Sequence, residues 1–242
     1  MILGIMQPYF FPYLGHFALI AACDNWIVFD TSQYTRKSWM NRNRILHPKQ
    51  GWQYISVPVA NASLGIATSE ILVKDLTTCR EELLGKLSHY RNNAPYYKNV
   101  INLVQECFST LADQRLVTLN TQALKLVTAY LGIPFRYHIC SELELTFPPD
   151  MQAGDWALEI SKQCGASVYV NPASGRQLFD QAAFNRSSIR LGFSEFSNFV
   201  YSVSGAEFES GLSILDAMMW CSANEIKQAL STHHRVSYMH DV

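Results

Sequence analysis

The chain has 242 residues, of which 48% are apolar and 16% charged, with a formal net charge of −1. That much apolar material supplies the core of one large domain, while the near-neutral charge lacks the basic footprint of a nucleic-acid binder and gives no long-range steering of polyanions. The six cysteines are scattered without a CxxC pair or paired metal spacing, so we expect free thiols in a reducing cytoplasm and no disulfide framework. The opening has no basic segment and no apolar run reaches the roughly 18 residues that span a bilayer, so neither a signal peptide nor membrane insertion is expected.

In chain order, Ile2–Met6 reads as a buried strand. A tight loop from Gln7 to His16, rich in proline and aromatics, opens a short helix over residues 17–24, and Trp26–Asp30 reads as a second strand. Residues 31–47 are polar, basic and aromatic and read as a connecting segment, after which residues 51–58 alternate as a strand ended by Pro58. Residues 71–73 offer another short strand. From Thr77 to Gly132 the period becomes helical: a first helix capped at Thr77 or Thr78 with Glu81 near its third position, a second opened by Pro95, and a third over residues 117–131. Residues 135–141 return to strand character, 155–164 to helix and 167–170 to strand, and Asn171 to Arg176 opens a helix over 177–184. Residues 188–191 suit an edge strand, 213–220 and 223–230 are helical, and His233, His234 and His240 read as a frayed tail. Strands separated by helices imply an α/β fold with a mainly parallel sheet. We expect one domain over residues 1–242, with residues 77–132 as a helical insertion or crossover subdomain.

Three segments have residues suited to anions. In the Gln7–His16 loop, His16 at a helix N-terminus can donate to a phosphate and Gly15 lets backbone approach closely; a Pro-rich turn with a capping histidine is the plainer reading. Arg36 to Arg44 is dense in basic, amide and aromatic side chains. On a strand Arg42 and Arg44 point the same way, flanking Asn43, and a guanidinium fork suits phosphate or carboxylate, although a solvated face accounts for them too. Ser174-Gly175-Arg176 follows a strand as an anion cradle does; it lacks a Walker ending, and a helix cap by Ser174 or Asn171 is the alternative.

Asp30 stands where a ribose hydroxyl or magnesium is met, or serves as a strand-end acid. Asp216, inside an apolar run, needs a partner if buried, with a salt bridge the expected form. Tyr9, Phe10, Phe11 and Tyr13 form either the wall of a sugar or base pocket or plain core. No Ser-His-Asp order, HExxH or GxSxG pattern supports a hydrolase or a zinc enzyme.

The residues 6–16, Asp30 with Gln33 and Tyr34, Trp39 with Asn41-Arg42-Asn43-Arg44, the start at Pro95, Ser174-Gly175-Arg176 and Leu212 to Asp216 resemble the WbqC-like protein family. The turn Asn171-Pro-Ala before Ser174 departs from that family's more Gly-rich form. The resemblance implies a bacterial protein of surface-polysaccharide (O-antigen) assembly, with aminoacyl transfer to an amino sugar. The strand, the loop ending Leu-Gly-His and the helix are also similar to the opening of the nucleotidylyltransferase and pantoate-ligase superfamily. Of that motif's two histidines, only His16 carries over, because Tyr13 stands at the first position.

Together these readings lead us to expect an ATP-dependent acyl or aminoacyl ligase or transferase. It would join a small carboxylic acid or amino acid to a nucleotide-linked amino sugar. ATP with magnesium would lie on Gln7, Gly15, His16, Asp30, Ser174, Gly175 and Arg176. Tyr9, Tyr13, Gln33, Tyr34, Trp39, Asn41, Arg42, Asn43 and Arg44 would hold substrate, with His16, Arg42 and Arg176 in the chemistry. A non-catalytic nucleotide-sugar binding or scaffold protein, and a sugar-phosphate nucleotidylyltransferase, are the alternatives.

Overall fold

The apolar run Ile2–Met6 forms β1 at the middle of a six-stranded sheet. Its unbroken hydrophobicity fits a strand covered on both faces. The computed structural model describes residues 1–238. The sheet order is β5 (Tyr137–Ile139), β2 (Asn25–Val28), β1, β6 (Val168–Pro172), β7 (Arg190–Phe196), β8 (His234–Tyr238). The first five are mutually parallel and β8 runs antiparallel to β7. A separate antiparallel hairpin joins β3 (Arg42–Leu46) to β4 (Trp52–Ser56). The fold is therefore α/β with a mainly parallel sheet.

Side chains alternate across the sheet between two cores. Leu3, Ile5 and Ile27 face a core completed by α5 (Asp155–Gln163) and α6 (Gln181–Arg186). Trp26 and Val28 face the larger core. Around that core pack α1 (Leu14–Ala21), α2 (Leu76–Leu87), α3 (Tyr97–Ser109), α4 (Leu116–Leu131), α7 (Ile214–Trp220) and α8 (Ala223–Thr232). Gly4 separates the two faces of β1: a Cβ there would lie 2.5 Å from the Trp26 ring, so this position must stay small.

Several local expectations are corrected. The segment read as a polar connection contains β3, because Asn43 and Ile45 turn inward while Arg42 and Arg44 lay their guanidinium groups over the rings of β4. Residues 71–73 make isolated bridges only, Val59 with Val73 and Leu72 with Arg115. Helix α2 is capped by Asp75, whose carboxylate accepts from the Thr78 amide at 2.5 Å, rather than by Thr77 or Thr78. After β6 the chain makes a 3-10 turn over Ala173–Leu178, and α6 begins only at Gln181, capped by Asp180. Residues 188–191 are not an edge: β7 extends to Phe196 and is flanked on both sides. His233 ends α8 and His234 begins β8, its Nε2 lying 2.8 Å from Ser194 Oγ; His240 lies outside the described residues.

Candidate functional site

From β1 the chain proceeds outward to β2 and β5 on one side, and β6 and β7 lie on the other. The order therefore reverses between β1 and β6, and the carboxyl ends of these strands frame the crevice where open α/β sheets place ligands. A cleft of about 370 Å³ lies there. Its walls are Met6, Tyr9, Pro12 and Tyr13, then Gly15 and His16 of α1, Trp39, Asn43 and Arg44 of the hairpin side, Pro172 and Ser174 after β6, Ser194 and Phe196 of β7, and Gly211. A second lobe of about 410 Å³ shares Met6, Tyr9, Pro172 and Ser174 with the first and also contains Gln7, Asn171 and Gly175.

The loop between β1 and α1 is fastened from three directions by buried polar side chains. Asn43 Nδ2 donates to the carbonyls of Phe10 (3.0 Å) and Phe11 (2.9 Å). Asn120 Nδ2, from α4, donates to those of Pro8 (2.7 Å) and Met40 (2.8 Å). Ser213 Oγ donates to Phe11 O at 2.7 Å. These bonds hold Phe11 in the left-handed region at φ 39°, a conformation that costs a non-glycine residue about 1–3 kcal/mol. Phe10 and Phe11 are core, whereas Tyr9 and Tyr13 reach the cleft.

His16 is only 3% exposed, with its ring 5.2 Å from Trp26 and 5.7 Å from Tyr9. Its Nε2 has no hydrogen-bond partner among the described residues. Burial lowers its pKa from 6.5 to about 3, so the imidazole is neutral at pH 7. A neutral ring in the first turn of α1, beside the cleft, can offer one N–H to a ligand together with the helix's free amides. Gly15 is covered by the Tyr13 ring, which a Cβ would meet at 2.5 Å.

The same burial has a consequence for stability. The unfolded chain binds the His16 proton below pH 6.5 but the folded chain only near pH 3, so stability is full above about 6.5 and is lost as pH falls through that window. Urea midpoints measured at pH 7.5 and 5.0 are expected to drop in the wild type and to drop less in His16→Gln. Equal drops would show that His16 is protonated in the folded state.

Arg44 supplies the positive charge in this lobe. Its guanidinium carbon sits 5.5 Å from the Trp39 ring and 5.0 Å from the Trp52 ring, and one N–H donates to Gly211 O at 3.2 Å. Among the described residues it has no ion pair. Arg42 points the same way but lies over Tyr54, 4.3 Å from its centroid, outside the cleft walls.

The remaining sequence candidates are dispersed, with physical reasons for each. Asp30 is fully buried, and its carboxylate accepts from the Ser141 amide (2.9 Å) and hydroxyl (2.6 Å), which fastens β2 to the turn after β5. It is therefore a structural acid that faces neither lobe. Arg176 turns to the far edge of the sheet, 4.1 Å over Phe193 with an N–H to Ser237 Oγ at 3.2 Å, so the three-residue cradle contributes Ser174 and Gly175 to the lobes without its cation. Gln33 makes a backbone bridge to Ala67, Tyr34 is buried with its backbone amide donating to Ile66 O, and Asn41 Nδ2 donates to Val57 O. Gln7 donates to Ser32 Oγ at 3.0 Å and faces the second lobe. The 12% aromatic share and its spacing gave no hint of Ser194, Phe196 or Gly211, which the sheet topology alone brings to the cleft.

The WbqC-like protein family model matches residues 7–228. The chain belongs to the WbqC-like protein family. Uncharacterized protein Rv1507c of Mycobacterium tuberculosis (strain ATCC 25618 / H37Rv) is 29% identical over 217 residues, which cover 89% of this chain and 91% of that protein. No solved structure matches the chain significantly. The family match takes in both walls of the cleft, from the Gln7 loop to α7 and most of α8. No helix among the described residues of this WbqC-like chain is long and apolar enough to cross a membrane.

Proposed function

We propose that the cleft between β1 and β6 takes a nucleotide or nucleotide-linked substrate, and that the protein is an ATP-dependent acyl or aminoacyl ligase or transferase acting on an amino sugar in bacterial surface-polysaccharide (O-antigen) assembly. The observation that carries this reading is the orphaned Nε2 of a neutral, buried His16 at the first turn of α1, sharing one lobe with an Arg44 that has no carboxylate partner among the described residues. Both groups fit phosphate oxygens, which supply acceptors for His16 Nε2 and for the Arg44 N–H groups not given to Gly211 O. ATP, when bound, would supply the phosphoanhydride bond whose cleavage activates a carboxylate toward an amine.

The chain's own part is positional and electrostatic. Arg44 balances phosphate charge, His16 donates one neutral hydrogen bond, and the tied-down Tyr9–Tyr13 segment keeps both at a fixed distance from the strand ends. Arg42 and Arg176, first read as chemistry-bearing, are replaced in this scheme by Arg44. Magnesium finds no protein cage, because among the described residues no group of three His, Cys, Asp or Glu could hold a metal ion. We assign it no step.

The turning away of Arg176 favours a second reading, a nucleotide-sugar binding protein without chemistry, since it leaves one cation in the lobe. Incubating the protein with ATP, magnesium, a nucleotide-linked amino sugar and an amino-acid pool, with mass spectrometry of the products, separates the two. A sugar amide with stoichiometric nucleotide cleavage supports the ligase. Binding of nucleotide sugar with no product supports the binding protein. Binding of neither would remove the site.

A further inference from the structure

The second lobe differs chemically from the first. It lies on the other side of the β1–β6 junction, and none of the residues lining it is charged. Its walls come from two separate aromatic groups. Phe29 stands 5.8 Å from Trp156, on the side of β2 and α5. Tyr169 stands 5.6 Å from Phe179, on the side of β6 and the turn after it. Trp156 and Phe179 are half-buried and line the lobe, while Tyr169 is held in the core by stacking on Phe184. The amides of Gln7 and Asn171 line the lobe; one N–H of each is given to Ser32 Oγ (3.0 Å) and Pro172 O (2.9 Å), and their oxygens accept from the Tyr9 and Tyr169 hydroxyls, which leaves one N–H on each amide.

A cleft with one lobe holding Arg44 and a neutral histidine, and an adjoining lobe of aromatic faces and amides, matches a ligand with an anionic end and a flat uncharged end. Resting on the nucleotide reading above, we infer that the second lobe is the base subsite. The heterocycle lies against Trp156 and Phe179 and the phosphates extend past Tyr9 and Ser174, which belong to both lobes, toward Arg44 and His16. Aromatic faces stack any base, so this lobe supplies affinity, while the remaining N–H of the Gln7 and Asn171 amides meets acceptors on the heterocycle's polar edge. The side chain that closes the lobe comes from α5 in the second half of the chain, so the subsite is assembled across the sheet and not by the β1–α1 loop.

Titration calorimetry with ATP, UTP and CTP, and separately with inorganic tripolyphosphate, tests this on wild type, Trp156→Ala and Trp156→Phe. Loss of one stacking face is expected to weaken nucleoside triphosphates about tenfold or more in Trp156→Ala. Tripolyphosphate should be unaffected, and Trp156→Phe should recover most of the loss, which also reports that the fold survives. Unchanged nucleotide affinity in Trp156→Ala overturns the base subsite while leaving the phosphate lobe in place. An equal loss for tripolyphosphate also overturns it, since the side chain would then act on the phosphate end. Decyl phosphate binding more tightly than any nucleotide would show that the lobe takes an alkyl chain instead. A wild type that binds no nucleotide removes both this inference and the reading it rests on.

Discussion

Arg44→Met is expected to weaken ATP binding by roughly ten- to a hundredfold, the range for losing a hydrogen-bonded charge. Methionine keeps an apolar side chain and removes the guanidinium that lies near Trp39 and Trp52. His16 needs more care, because it is 3% exposed and packs on Trp26; alanine there opens a cavity as well as deleting a donor. Gln reaches with an amide N–H to about where Nε2 lies. His16→Ala should therefore lower nucleotide-dependent turnover by about two to three orders of magnitude, with His16→Gln partly restoring it at normal melting temperature. If His16→Gln and His16→Ala are equally inactive but equally stable, the neutral-donor role is wrong. Full activity in Arg44→Met would remove the phosphate lobe.

The second large effect concerns Asp216, which is fully buried in α7. The expected salt bridge is absent among the described residues. Instead its carboxylate accepts from the hydroxyls of Tyr90 and Tyr201, the latter at 2.6 Å, and from the Leu46 amide at 3.4 Å. These three donors come from the region between α2 and α3, from the segment before α7, and from β3 two residues beyond Arg44. Asp216→Ala leaves the two phenol hydroxyls without their acceptor, at about 1–3 kcal/mol for each buried orphan, while the Leu46 amide keeps Tyr90 Oη at 3.1 Å. We expect a loss of at least about 2 kcal/mol and a melting temperature lower by roughly 4–8 °C.

Burial also raises the Asp216 pKa above 3.8, with the phenol hydrogen bonds opposing. The folded chain then holds this proton at pH values where the unfolded chain has released it. Stability declines as pH rises from the ordinary carboxylate range through the raised value, opposite in sign to His16. Asp216→Asn should flatten that falling limb. A melting temperature within 2 °C of wild type in Asp216→Ala, or an unflattened limb in Asp216→Asn, would show that the three hydrogen bonds contribute little; the 2 °C threshold corresponds to about 1 kcal/mol or less.

The parts legible in the sequence are those written in local pattern. The apolar β1, a helix following the Gln7 loop (Leu14–Ala21, three residues earlier than expected), the helical periods of α2 to α4 and the Gly132 stop are readable, and Gly132 takes φ 62° at the end of α4. What was not readable depends on pairing between distant segments. Nothing local distinguishes Asp30, whose partner Ser141 is 111 residues away, from a ribose-binding acid. Arg176 looked like an anion ligand because the residues before it form a small turn, yet β8 arrives beside it from the end of the chain and takes its guanidinium. The strand character of residues 42–46 is masked by arginines, which a hairpin tolerates when their guanidinium groups lie on aromatic rings. The three clamps on the β1–α1 loop, Asn43, Asn120 and Ser213, have no sequence signature, since an amide or hydroxyl reads as polar surface until the carbonyls it serves are brought to it.

The most direct measurement is calorimetric titration of ATP into wild type and Arg44→Met at two ionic strengths. A saturable wild-type isotherm, weakened at least tenfold by Arg44→Met and by added salt, is the result expected of a phosphate lobe at the β1–β6 junction. Wild-type binding that is absent, or equal in Arg44→Met, would contradict it.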